Sequence, residues 1–389
     1  MSVENESDSS ELISSVRSLK ELIDIVSGRT LQPLEPQRES TIANIPAFPL
    51  LAIVGQVEMK TALLLSIINP AIGGVLLVGG RGSGKTTAVR GLVDLLPSIT
   101  RSACYYGCLP EDIEAGGMDA ICPDCAKKYG ENIPLVRTDP VHLVELPLNA
   151  SLEDVVGRVS EGPVAHERLR LRRGILSEAD QNILYIDEVN LLRDDIVNVI
   201  LDAAAQSHYT IRHGTMALTY RSRFTLIGSM NPEEGNLRPQ ILDRFGLRVF
   251  VSGVDSPQDR VKTYERVMAY HTNPTQFAAE FLPETSIARQ EVQTAREILP
   301  HVRLSPEISA FGVSLIQSMN IKSLRAEITL FESARAYAAA DGRDRVTRED
   351  IHAVAVMALR LRRSSFMTSY LDQQAQEDDE IQALFKSTP

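Results

Sequence analysis

The stretch Gly79-Gly80-Arg81-Gly82-Ser83-Gly84-Lys85-Thr86 has the residue types and spacing of a phosphate cradle. Glycines let the backbone close around an anion, N–H groups and a helix start face it, and a lysine at this offset reaches the β and γ phosphates of a nucleotide. The Thr86 hydroxyl is then placed to bind the Mg²⁺ that accompanies them. The apolar run Val75–Val78 precedes the stretch and a helical pattern through Ala88, Leu92 and Leu95 follows it, so the context reads strand, loop, helix. A glycine-rich turn beside a surface lysine would need no such context.

A second reactive group ends another apolar run. Ile183-Leu184-Tyr185-Ile186 leads directly into Asp187 and Glu188, and carboxylates at the C-terminal end of a buried parallel strand are placed to handle metal and water. ATP hydrolysis needs phosphates held, Mg²⁺ placed and a water activated. Lys85 and the glycine loop suit the first task, Thr86 and Asp187 the second, and Glu188 the third. An acidic strand end of no special role is the plainer alternative, and the fitting position relative to the phosphate loop argues against it.

The third group is Cys104, Cys108, Cys122 and Cys125, the only cysteines in the chain, spaced C-x3-C and C-x2-C with thirteen residues between the pairs. Two close pairs can aim four thiolates at one tetrahedral ion, and an all-thiolate set leaves no open position, so such a zinc would be structural. A redox pair at Cys122 and Cys125, or four unrelated thiols, also fits the spacing. Gly107, Pro110, Gly116, Gly117 and Pro123 make the segment rich in turns, with few large apolar residues.

These groups need a scaffold. A strand around residues 142–146, the run Ile183–Ile186, residues 224–228 and residues 248–251 alternate with helical patterns, which predicts a parallel sheet covered on both faces. Before the first of these strands a helix runs through Met59, Leu63, Leu64 and Ile67; after Asp187-Glu188 another is expected to present Leu191, Ile196, Val199, Ile200 and Ala203. Residues 209–212 and 217–220 flank Gly214 as a hairpin, and residues 152–179 form a Gly- and Arg-rich excursion. The loop 48–56 suits either a contact to adenine or a plain strand-to-helix turn. From Ser256 the pattern becomes helical, with segments 257–270, 285–299, 305–319, 323–341 and 347–363. The expected organisation is a 1–45 acidic extension, a 46–255 α/β domain carrying the cysteine insertion, a 256–372 helical domain and a 373–389 polar tail. Within the extension, Leu12, Val16, Leu19, Ile23 and Val26 recur at helical spacing before Gly28 and the Pro33 and Pro36 linker. That helix suits docking or simple packing on its own domain.

The 389 residues suffice for two domains, each with its own core, and the net charge of −11 disfavours duplex DNA or an anionic membrane as the main partner. No apolar run approaches the length of a membrane span, and the acidic, Ser-rich start fits neither a secretory nor a transit peptide. A soluble, cytoplasmic bacterial protein is expected, a compartment that suits free or metal-bound thiols better than disulfides.

Four stretches together resemble a known family. Phe48-Pro49-Leu50, Ala52-Ile53-Val54-Gly55-Gln56, Tyr185-Ile186-Asp187-Glu188-Val189-Asn190-Leu191-Leu192 and residues 231–240, Asn-Pro-Glu-Glu-Gly-Asn-Leu-Arg-Pro-Gln, are similar to the ATPase subunit I of magnesium chelatase. The likeness runs over about residues 46–363. It implies an AAA+ module, an α/β P-loop NTPase domain with hairpin and helix-2 insertions, followed by a displaced C-terminal helical bundle. By position it makes Asn231 the sensor 1 residue, Arg244 an arginine finger reaching a neighbouring subunit's nucleotide, and Arg325 sensor 2. Taken singly, either arginine would be read as an ordinary surface ion pair.

The implied function is ATP-driven insertion of Mg²⁺ into protoporphyrin IX on the way to chlorophyll or bacteriochlorophyll. The subunit would act as motor in a homo-oligomeric ring, a hexamer by family pattern, with partner subunits D and H, and would meet the porphyrin only through H. Neither the cysteine cluster nor the acidic extension belongs to the shared pattern. Rival readings are a MoxR-like remodelling ATPase, a motor for cobalt insertion, and a nucleotide-gated scaffold without turnover. The last has no use for Glu188 and Arg244 together, and the acidic charge gives little support to a DNA motor.

Overall fold

The computed structural model describes residues 45–104, 107–160, 170–213, 216–235 and 237–363. The expected N-terminal helix, the Pro33 and Pro36 linker and the tail from Gln373 lie outside them, as do Gly214 and Asn236. Val57–Ile68 (α1) leads to Val75–Val78 (β1), the glycine loop and Lys85–Leu92 (α2). The cysteine-bearing insertion follows as Ile99–Ser102 (β2), Pro110–Gly116 (α3), Pro123–Gly130 (α4) and Val136–Asp139 (β3). Next come Leu143–Leu146 (β4), Leu152–Val156 (α5), Gly157–Ser160 (β5), Arg170–Arg173 (β6) and Ile175–Glu178 (α6). The α/β part closes with Ile183–Ile186 (β7), Asp194–Gln206 (α7), His208–His213 (β8), Met216–Arg221 (β9), Thr225–Met230 (β10), Pro239–Arg244 (α8) and Leu247–Phe250 (β11). Among the described residues six helices follow: Pro257–Thr272 (α9), Pro274–Glu280 (α10), Leu282–Ile298 (α11), Pro306–Ser318 (α12), Arg325–Ala340 (α13) and Arg348–Leu359 (α14).

Strands β11, β1, β10, β7 and β4 form one parallel sheet in that order. Alternate residues feed opposite faces, as a period of two requires. Val75, Leu77, Ile183, Tyr185 and Ile227 join one buried cluster with helices α1, α2 and α11–α14. Leu76, Val78, Leu184, Ile186 and Leu226 join another with α5–α8. The two faces of the sheet therefore divide the core, and the C-terminal helices share theirs with α1.

Three local features differ from expectation. Leu191 lies in a short 3-10 turn and is 48 % exposed, because Arg193 takes an extended conformation and starts α7 only at Asp194. Helix α10 was not anticipated; Asn273 ends α9 and caps α10, its side chain accepting from the Gln276 N–H. The pairing of β2 with β3 at the base of the insertion was also not foreseen. The expected hairpin is β8 with β9, and the 152–179 excursion contains a second antiparallel pair, β5 with β6.

Buried arginines hold the helices to the sheet. Arg248 on β11 is fully buried and its Nη1 donates to the Arg360 carbonyl at 2.7 Å. Arg362 donates to the Asp243 carboxylate at 2.9 Å, to the Gly246 carbonyl at 3.0 Å and to the Thr329 hydroxyl at 3.0 Å. Arg360 pairs in turn with Glu58 on α1. At the opposite end of α1, Arg296 of α11 donates to the Ile67 carbonyl at 2.8 Å.

Helix α14 begins with a capping box: Thr347 accepts from the Asp350 N–H, and the Asp350 carboxylate accepts from the Thr347 N–H at 2.8 Å. Asp350 is 1 % exposed and takes two hydrogen bonds from Arg343, at 2.8 and 2.5 Å. Burial alone would raise its pKa, but the bonds from Arg343 and Thr347 outweigh burial and leave it lowered. Its stabilising contribution is therefore present above the unfolded carboxylate value and is lost as pH falls through the lower folded one. Asp350→Ala, which leaves the guanidinium facing a buried gap, is expected to destabilise the fold by about 3 kcal/mol at neutral pH. Thermal or denaturant unfolding of the two proteins checks this, and the difference should shrink in acid.

Candidate active site

The parallel register decides which loops meet. Val78 pairs with Met230, and Gly228 pairs with Ile186. The residues that follow, Gly79, Asn231 and Asp187, consequently leave the sheet at the same edge. Gly79 passes so close to β11 that a Cβ there would stand 2.1 Å from the Val251 carbonyl oxygen. Gly84, at φ +87°, takes the left-handed turn that starts α2.

A cavity of about 380 Å³ opens on this edge, lined by residues 81–87, Asp187, Glu188, Ser229, Met230 and Asn231. Lys85 Nζ donates to the Gly79 and Gly80 carbonyls at 2.8 Å each. Burial lowers its pKa, partly offset by Asp187, Glu188 and Glu234. The Thr86 hydroxyl lies 3.0 Å from the Tyr185 hydroxyl, which donates to Asp187 Oδ1 at 2.9 Å. Ser229 donates to the same carboxylate oxygen and accepts from the Glu188 N–H at 3.1 Å. This contact helps hold Glu188 in a left-handed conformation, φ 54°, uncommon for a residue with a side chain. Thr86 and Asp187 supply hard oxygen donors close together, as Mg²⁺ prefers.

The side of the cavity around Glu188 is strongly charged. Arg81 pairs with Glu234 and lies 3.9 Å from Glu188. Asn231 is buried, and its Oδ1 accepts from the Glu233 N–H at 3.2 Å, so its amide is oriented by the turn after β10. Asn190 donates to the Asn231 carbonyl at 3.4 Å.

Arg244 and Arg325 do not line this cavity. Both line a second one of about 730 Å³, in which the charged lining residues are Arg223, Arg244, Arg296, Arg325 and a single acid, Asp243. Arg244 pairs there with Asp202 at 2.6 Å. Arg325 is the first residue of α13, an end at which the helix dipole disfavours a cation. The four cysteines form a third group, with all four Sγ atoms within 4.8 Å of one another.

Sequence reasoning gave no role to Tyr185, Ser229 or Glu234. Tyr185 and Ser229 read as ordinary members of apolar strands; strand pairing brings the Ser229 hydroxyl to Asp187, while Tyr185 reaches it from two residues earlier on the same strand. Glu234 stood in the recognised 231–240 stretch with no spacing rule to mark it.

Sheet, phosphate loop and paired carboxylates define a P-loop ATPase of the AAA+ class. A family model described as AAA lid domain matches residues 310–384. The fold is shared with a putative ATPase from Cytophaga hutchinsonii, at a TM-score of 0.52 and 18 % identity over 80 % of this chain and 84 % of that one. Within the class the match is narrower, since the model "Magnesium chelatase, subunit ChlI" covers residues 160–254. A magnesium-chelatase subunit ChlI homolog of Methanocaldococcus jannaschii is 42 % identical over 85 % of this chain and 90 % of its own. The chloroplastic subunit ChlI-2 of Arabidopsis thaliana is 40 % identical over 82 % and 75 %. The chain belongs to the magnesium chelatase subunit ChlI family, and ATP and Mg²⁺ are the cofactors this family implies.

Burial and, next, the Glu234 carboxylate raise the pKa of Glu188. A base with a raised pKa is lost as pH falls through that raised value. With Glu188 as the base, Glu234→Gln is expected to move the acid limb of kcat/KM for ATP to lower pH. ATPase profiles of the two proteins decide it, and coincident acid limbs would mean that Glu234 does not tune the group that titrates.

Proposed function

We propose that this chain is the ATP-hydrolysing motor of magnesium chelatase, driving insertion of Mg²⁺ into protoporphyrin IX in chlorophyll or bacteriochlorophyll synthesis. The observation that carries the reading is the convergence of Lys85, Thr86, Asp187 and Glu188 on one cavity in a chain of the ChlI family. Lys85 and the loop N–H groups, Gly79 to Thr86, hold the phosphates. Thr86 and Asp187 hold the nucleotide's Mg²⁺, which when bound offsets phosphate charge. Glu188 takes the proton of the attacking water, and Asn231 orients that water or the γ-phosphate. The Mg²⁺ delivered to the porphyrin is a separate ion, the substrate.

Arg244 and Arg325 belong to the same cycle but to a different nucleotide. Their separation from the chain's own phosphate loop, and the excess of arginines around them, support a role toward the phosphates of an adjacent copy. Such sharing makes a closed ring, six-membered by family pattern, the working form, with subunits D and H as partners and the porphyrin reached through H. Among the described residues no helix is long and apolar enough to cross a membrane, and we place the protein in a reducing, cytoplasm-like compartment. The four cysteines stand outside the cycle and are read as a structural Zn²⁺ site.

Metallation of protoporphyrin IX, followed by absorbance in the presence of subunits D and H, should require this chain and ATP. Glu188→Gln should bind ATP yet lower turnover by on the order of 10²-fold or more. Hydrolysis without magnesium protoporphyrin would favour a related remodelling or cobalt-inserting ATPase. A trans finger contributes about 10³- to 10⁵-fold in rate, so Arg244→Ala alone should be nearly inactive. Mixing it with Glu188→Gln should restore part of the activity through interfaces that join the two intact halves. No recovery in rings shown to be mixed would remove the shared site.

A further inference from the structure

We propose that Cys104, Cys108, Cys122 and Cys125 bind one Zn²⁺, and that the ion fixes the insertion as a strut against the hairpins β5–β6 and β8–β9. The cysteines are free of disulfides. Their Sγ atoms are 3.8 Å apart for Cys104 and Cys108 and 3.5 Å for Cys104 and Cys122. Four thiolates each 2.3 Å from a tetrahedral centre stand about 3.8 Å from one another, whereas a disulfide needs about 2.05 Å. The spacing therefore fits a shared ion.

The backbone builds both knuckles for that purpose. Gly107, at φ +75°, reverses the chain between the first two cysteines, and its N–H donates to the Cys104 carbonyl at 3.1 Å. Cys122 stands just before α4 with Pro123 at its first position, and Cys125 follows within the first turn. Positions three apart on a helix start share a face. The Cys122 N–H donates to Cys108 Sγ at 3.3 Å, the kind of bond that orients a ligating sulfur. Apart from the cysteines, the buried apolar residues of the local cluster are Ile121 and Leu135, too little to order the segment by burial alone.

The fixed insertion is gripped from both hairpins. Arg173 of β6 donates to the Cys104 carbonyl at 3.1 Å, and Arg221 of β9 pairs with Asp112 of α3. Ser102 Oγ ties β2 to the Cys108 carbonyl at 2.6 Å. Strand β9 runs within a few residues into β10, whose end carries Ser229 and Asn231 into the nucleotide cavity. The ion thus acts on the hairpins by position and takes no part in the chemistry.

The test needs neither porphyrin nor partner subunits, so it stands or falls apart from the chelatase reading. Full-length protein purified with reductant and without chelator should contain about one zinc per chain, with X-ray absorption giving four sulfurs at about 2.3 Å. The double variant Cys122→Ser, Cys125→Ser should lose it. Should that variant fail to fold, a mercurial titration of the unaltered protein should release the zinc as its thiols react. On zinc loss, hydrogen exchange in β6, β8 and β9 should rise by about tenfold while the affinity for a fluorescent ATP analogue stays within about twofold. Folded, reduced protein without zinc, with iron in its place, or with the cysteines oxidised to disulfides would overturn the site. Unchanged exchange in the hairpins after zinc release would overturn the strut.

Discussion

The structure depends on the parallel registration of β1, β10 and β7. Because the three strands run the same way in fixed register, Gly79, Asn231 and Asp187 emerge at one end of the sheet. A slip of one residue in β10 would turn Ser229 away from Asp187 and send Leu226 and Ile227 to the wrong faces of the sheet. Burial enforces the register, since every residue of β1, β7 and β10 is buried. The apolar core therefore sets the precision of the polar site. Gly79 shows the same dependence from the other side, because the phosphate loop can begin only where the chain slides past Val251 without a side chain.

Much of this was legible in the residues, for identifiable reasons. A phosphate loop and a strand ending in two carboxylates are contiguous, and the paired cysteines are spaced by local geometry, so each could be found by reading along the chain. The Ser229 hydroxyl could not, because it reaches Asp187 from a strand 42 residues away, and the Tyr185 hydroxyl, though only two residues from Asp187, sits in an apolar run that reads as core. Leu191 was misplaced onto a helix because its apolar character was counted without the extended Arg193 that separates it from α7. Helix α10 was missed although Asn273-Pro274 has the residues of a cap and a first helical position. The β2–β3 pair escaped because its strands are mostly half-exposed and lack an apolar run.

The charged groups fall into two populations with opposite needs. Around the phosphate loop, Arg81, Glu188 and Glu234 compensate one another within the chain. In the larger cavity arginines outnumber acids four to one, leaving positive charge that the lining itself does not balance. Asp202 pairs with Arg244 at 2.6 Å, a half-exposed pair of the kind that contributes little to stability.

Arg248, Arg360 and Arg362 join the end of α14 to the edge of the sheet through hydrogen bonds to backbone carbonyls. Swinging the helices away from the sheet would strip partners from two buried guanidinium groups, at a cost of several kcal/mol for each. The usual picture of a hinged jaw closing over its own nucleotide does not suit such a joint. A chain fastened in this way resists hinging between the sheet and α14. In the ring proposed above, a displacement that begins at the phosphate loop would be carried to the adjoining copy instead of being taken up by a hinge inside one chain.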